Sequence, residues 1–184
     1  GADAGYSIRV SNQGKVFVCG GTTSTDLGTT SGVINPSFGG NYDGFIASYD
    51  ANSGAVLAKT YLGTAVYDQA YILELDDQED VYVVGQSTGG YPVFNATYSN
   101  PNSTQFIHKL NSSLTSTDYS TVFGNGTGNI NISPTAFLVD KCGNVYVSGW
   151  GGGFNDPAVS QGFAYDPQAG GDVNTMPITF DAQQ

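Results

Sequence analysis

One short pattern, met three times at a constant interval, limits what this chain can fold into. Lys15-Val-Phe-Val-Cys-Gly20, Asp80-Val-Tyr-Val-Val-Gly85 and Asn144-Val-Tyr-Val-Ser-Gly149 superimpose at spacings of 65 and 64 residues. Each alternates β-branched with aromatic or small residues and closes on glycine, which reads as a buried strand entering a turn. A period of this length marks a repeat architecture, in which one unit buries its face against the next.

The flanks keep the same interval. Residues 6–10, 71–75 and 136–139 are strand-like and run into the polar turns SNQG, DDQED and DKCG, so each unit opens with a hairpin. Downstream, GFIASY from Gly44 matches QFIHKL from Gln105, and AKTYLG from Ala58 matches YSTVFG from Tyr119. The unit is four short strands, the make-up of a β-propeller blade. The expected fold class is therefore all-β: blades of four antiparallel strands, about two and a half of them, over residues 3–67, 68–131 and 132–184.

A plain blade takes roughly 40–45 residues. The excess falls between the second and third strands, in Gly-, Ser-, Thr-, Asn- and Pro-rich segments that read as ordered turns rather than helices. The third unit is expected to end inside that connection, where Met176-Pro-Ile178 echoes Tyr91-Pro-Val93. A propeller ring needs about four or more blades. The chain is thus expected to be a segment of something longer, or to close with another polypeptide. The opening GADAG, with no signal peptide in view, fits a processed or excised segment.

Charge excludes some function classes. The net charge is −11, and the cations Arg9, Lys15, Lys59, Lys109 and Lys141 are scattered singly. Nucleic-acid binding needs clustered cations to neutralise phosphates, so that partner is excluded, and an anionic membrane surface is disfavoured likewise. No apolar run approaches the ~20 residues of a membrane span. Charged residues are only 11% of the chain, so hydroxyls and amides must solubilise it, as in many extracellular β-proteins.

Catalytic signals are weak. The single histidine, His108, lies on a strand beside Lys109, and no serine has a histidine partner in a recognisable motif. The run Asp76-Asp77-Gln78-Glu79-Asp80 is the one place with several carboxylates. It reads first as a solvated turn and second as a calcium candidate, since calcium takes 6–8 oxygens. No other cofactor is implied. Asp26 and Asp43 sit in loops, where Asx-turns account for them. Cys19 and Cys142 occupy different positions in the repeat, which argues against a bridge between them. Five N-x-[ST] triplets, at Asn95, Asn102, Asn111, Asn125 and Asn131, read as chance in so polar a composition.

These residues resemble the bacterial β-propeller repeat known as the SBBP repeat. Its strand ending in YVxG, T/S-x-S-x-D stretch, Gly-Gly-x-x-Asp turn, Phe-Ile/Val-Ala-Lys and Tyr-Leu-Gly are matched by residues 16–20, 23–27, 39–47 and 60–63. Ser48 replaces the lysine, and the second unit lacks the Gly-Gly turn. The wording of residues 132–140 and 145–151 is similar to large surface proteins of gliding, type IX-secreting Bacteroidetes. The resemblance implies export, a cell-surface or extracellular location, and a role in adhesion, display or spacing. It supplies no catalytic residue.

Two functions compete. One is a non-enzymatic propeller segment whose partners are further blades or another surface protein. The other is a carbohydrate-binding part of an extracellular polysaccharide-processing enzyme. The third unit carries an insertion at about 151–171, and its aromatics Trp150, Phe154, Phe163 and Tyr165 suit glycans or a protein partner. The first reading of the same insertion is a cap over an exposed blade edge, ahead of binding.

Overall fold

The computed structural model describes residues 1–151 and 178–180. All regular structure in them is β, with no helix. Three antiparallel sheets follow one another along the chain, each a meander in which sequence neighbours pair. The first holds β1 (Asp3–Val10), β2 (Lys15–Thr22), β3 (Asp43–Asp50) and β4 (Val56–Leu62). The second holds β5 (Asp68–Leu75), β6 (Val81–Ser87), β7 (Gln105–Leu110) and β8 (Thr117–Phe123). The third is built on β9 (Ile132–Val139) and β10 (Val145–Gly151). The three-residue β11 (Ile178–Phe180) pairs with β10. Residues 178–180 therefore do not belong to the connection expected there: they take the place of a third strand.

The three repeated motifs lie on β2, β6 and β10, the second strand of each sheet. The repeat extends to irregularities the sequence does not announce. In all three opening hairpins the register slips by one residue on the first strand, at Tyr6, Tyr71 and Thr135. Bulges of this kind increase local twist and re-aim the strand. They also let β1, β5 and β9 start three or more residues before the stretches of clean alternation.

The hairpin turns are equivalent as well. Each is closed by a pair of backbone bonds, as between Asp76 N and Asp80 O (3.2 Å) and between Glu79 N and Asp76 O (3.0 Å). The residue before the closing position has a positive φ in every case: Gly14, Glu79 and Gly143. Glycine reaches that conformation freely, whereas a side chain there is strained by about 1 kcal/mol. Glu79 stands out for that reason.

The sheets pack face to face and divide the core in two. One cluster joins Phe17, Cys19 and Ile46 of the first sheet to Leu73, Val81 and Val83 of the second. The other joins Tyr82, Val84, Ile107 and Phe123 of the second sheet to Phe137, Val145 and Val147 of the third. Alternate residues of β6 thus point into opposite cores, as strand geometry requires, and β6 is buried along its whole length. One position shows what stacking does. Leu73 is 0% exposed and Phe137, one repeat later, is 6%, yet Ile8, one repeat earlier, is 59%.

Candidate functional site

The acidic run forms the β5–β6 turn, and most of its charge is already answered. Glu79 accepts hydrogen bonds from Lys15 Nζ at 2.8 Å and Gln13 N at 3.1 Å, both on the first sheet. Burial works against the Glu79 carboxylate, but its bonds from Lys15, Ser11 and Gln13 outweigh it and hold the carboxyl below its usual range. This bridge accounts for a glutamate at a position where the other two turns have glycine. Arg9 Nε meets Glu74 Oε2 at 2.9 Å beside it. Both bridges span one repeat and fasten the first sheet to the second.

Asp76 Oδ1 accepts from the backbone of Gln78 and Asp80, both at 2.9 Å, which shapes the turn. Its other oxygen and Asp80 each lie 3.3 Å from Lys109 Nζ, with Asp118 at 3.2 Å. The ammonium sits where a cation serving Asp76 and Asp80 would sit. Asp77 is exposed. A cleft of about 240 Å³ runs between the two turns, lined by Arg9, Gln13, Glu74, Asp76, Asp77 and Glu79. Among the described residues no group of three or more His, Cys, Asp or Glu side chains is placed to hold a metal ion.

A second concavity, of about 430 Å³, opens between the first two sheets and was not legible in the sequence. Its wall includes Ile34, Leu62, Tyr91, Pro92, Phe94 and His108. His108 stands opposite Val83 as Ala47 stands opposite Val18, so it replaces an alanine and faces the first sheet. Tyr91 stacks on Phe106 with ring centroids 3.8 Å apart, and its hydroxyl lies 2.7 Å from His108 Nδ1. His108 Nε2 lies 2.8 Å from Thr117 Oγ1. Burial pushes the His108 pKa down to about 4 and the Tyr91 pKa far up, with the Asp68 charge adding to the latter. At neutral pH the ring is uncharged, and one N–H and one lone pair satisfy both neighbours.

Of the four aromatics expected to bind a ligand, Trp150 is described. It is 58% exposed and pairs with Ser133 in the third sheet. One repeat earlier stands Gln86, and two earlier Gly21, whose face lies directly against Gln69 of the next sheet. Trp150 therefore occupies the face that, in the first sheet, meets a following sheet. Phe154, Phe163 and Tyr165 lie outside the described residues. Cys19 is buried, Cys142 exposed, and both are free thiols.

No protein-family model matches this chain, and a search of curated proteins finds no relative.

Proposed function

We propose that this chain is a non-enzymatic β-propeller segment of a large extracellular surface protein, with its sheets as blades stacked about a common axis, serving adhesion, display or spacing. The observation that carries the reading is the fate of one position across the three sheets. Leu73 and Phe137 are buried against the preceding sheet, while Ile8 (59%) and Val10 (67%) are exposed on the same face of the first. A face that buries apolar side chains twice and exposes them once is made for a further sheet, supplied by more blades or by another surface protein.

The polar chemistry supports a structural role. Both nitrogens of His108 are engaged by Tyr91 and Thr117, which leaves no free lone pair for a general base. Glu74, Glu79, Asp76 and Asp80 are committed to Arg9, Lys15 and Lys109. The low charge content and resemblance to SBBP repeats favour an exported location. No helix among the described residues is long and apolar enough to cross a membrane.

A second reading rests on the 430 Å³ concavity, whose Tyr91, Pro92 and Phe94 lie beside the hydroxyls of Thr117 and Ser120. Ring faces next to hydroxyls suit a glycan. One experiment separates the readings: incubate the chain with a panel of soluble polysaccharides, and measure retention and reducing-end release. The structural reading expects neither. Retention abolished by Phe94→Ala would move the assignment to carbohydrate binding, and saturable release of reducing ends would overturn both.

A further inference from the structure

Two carboxylates at the first sheet junction are buried with no cationic side chain paired to them among the described residues. Asp43 begins β3 and Asp68 begins β5, and both are 0% exposed. The segments that carry them run side by side. Tyr42 N donates to Val66 O at 3.2 Å and Asp68 N to Tyr42 O at 2.8 Å. Gly39 fits so closely against Thr64 that a Cβ on it would lie 2.3 Å from the Thr64 carbonyl oxygen.

Each aspartate uses one oxygen on its own turn. Asp43 Oδ2 accepts from Gly39 N at 2.7 Å, and the Gly40 backbone N–H also favours the carboxylate. Asp68 Oδ2 accepts from Thr64 N at 2.6 Å and Thr64 Oγ1 at 2.9 Å. The remaining oxygens, Asp43 Oδ1 and Asp68 Oδ1, are buried and meet no donor, and neither does Oε1 of the adjoining Gln69, itself 4% exposed.

Such groups destabilise the fold unless something compensates them, and the protein has no cation to spare. Its five basic side chains are Arg9, Lys15, Lys59, Lys109 and Lys141. Arg9 is paired with Glu74 on β5, and Lys15 and Lys109 serve the acidic turn. Lys59 donates to Leu27 O at 2.8 Å. Lys141 is exposed in the β9–β10 turn.

The next junction shows that the fold itself does not require these charges. There Asn131 lies against Gly124 as Asp68 lies against Gly63, and Thr104 takes the place of Asp43. Asn131 leaves both an acceptor and a donor unpartnered, a mixed set that a water satisfies. The first junction offers acceptors alone, and a set of hard oxygens with two negative charges suits a cation.

We propose that Asp43 and Asp68 hold a divalent cation of the calcium type between the first and second sheets. The site is separate from the acidic turn and does not depend on the propeller reading. The competing occupant is a proton on one of the two neighbouring carboxylates, which would likewise reduce the buried charge.

Terbium luminescence on the 184-residue chain tests this. Terbium replaces calcium and is sensitised by nearby tyrosines, and Tyr42 and Tyr67, with rings 5.6 Å apart, adjoin the two aspartates. Emission is expected to saturate at one equivalent and to be displaced by calcium chloride. Asp43→Asn and Asp68→Asn should each weaken terbium binding by about tenfold or more, while Asp77→Asn leaves it unchanged. Circular dichroism identifies any variant that fails to fold, and the other then decides. Calcium should raise the melting temperature of the unaltered chain and not that of a folded Asn variant. No saturable emission, emission retained in both Asn variants, or a melting temperature indifferent to calcium would each overturn the proposal; the last, with Asp43→Asn more stable than the original, would assign the proton instead.

Discussion

The two junctions between sheets are built on the same frame and finished differently. In both, the first strand of one sheet lies across the face of the sheet before it and drives an apolar residue, Leu73 or Phe137, into that face. The first junction adds the Arg9–Glu74 and Lys15–Glu79 bridges and the buried pair Asp43 and Asp68. The second relies on aromatic volume and neutral contacts, such as Gln105 Nε2 to Ile132 O at 3.0 Å. The shared part is what the repeat needs in order to stack. Among the described residues these charges belong to the first junction, and they make it sensitive to pH and ions.

The largest effects should come from the shared part. Phe137→Ala is expected to cost about 3–5 kcal/mol and Leu73→Ala about 2–5 kcal/mol in chemical denaturation, whereas Ile8→Ala costs under about 0.5 kcal/mol. Three similar costs would break the distinction between buried and open faces.

The next effect belongs to the first junction alone. His108, with its folded pKa near 4, binds no proton in the native state where the unfolded ring, near 6.5, does. Stability should therefore fall as pH drops from about 6.5 to about 4, by about 3 kcal/mol. His108→Gln should flatten that window while leaving the steeper loss below it. A profile unchanged by the substitution would mean that His108 is not the group responsible.

Smaller still are the bridges. Lys15→Met strands a glutamate whose side chain is 5% exposed and should cost about 1–3 kcal/mol. Arg9→Met removes the more open pair and should cost under about 1 kcal/mol. Comparable with the Arg9 bridge is the strain at Glu79. Glu79→Gly and Glu79→Ala both lose the bridge, but only glycine relieves the positive φ, so it should be the milder by about 1 kcal/mol. Equal melting temperatures for the two would remove strain from the account.

Much of the architecture was legible because strand alternation and turn residues are local. Residues 15–20, 80–85 and 144–149 gave the repeat, and the polar turns gave the hairpins. The bulges at Tyr6, Tyr71 and Thr135 were not, since a one-residue slip interrupts the alternation by which a strand is read. The cavity was missed because Tyr91 sits in an aperiodic connection and meets His108 only when that connection folds back. Asp43 reads from the sequence as a loop aspartate, whereas it starts a strand and is wholly buried. A usable signal for the ion pairs was present: Arg9 with Glu74 and Lys15 with Glu79 are opposite charges one repeat apart, the separation at which stacked sheets touch.

The central claim, that the open face of β1 awaits another sheet, can be tested with one thiol. Cys142→Ser removes the exposed cysteine, and burial pushes the Cys19 thiol up to about 12, which keeps it unreactive. Ile8→Cys is then the one reactive thiol expected, and its labelling rate is compared in two chains: this one, and one with a second copy of residues 68–131 joined ahead of residue 3. Stacking predicts rapid labelling in the first and labelling slower by at least about a hundredfold in the second. Equal rates in two folded chains would contradict it.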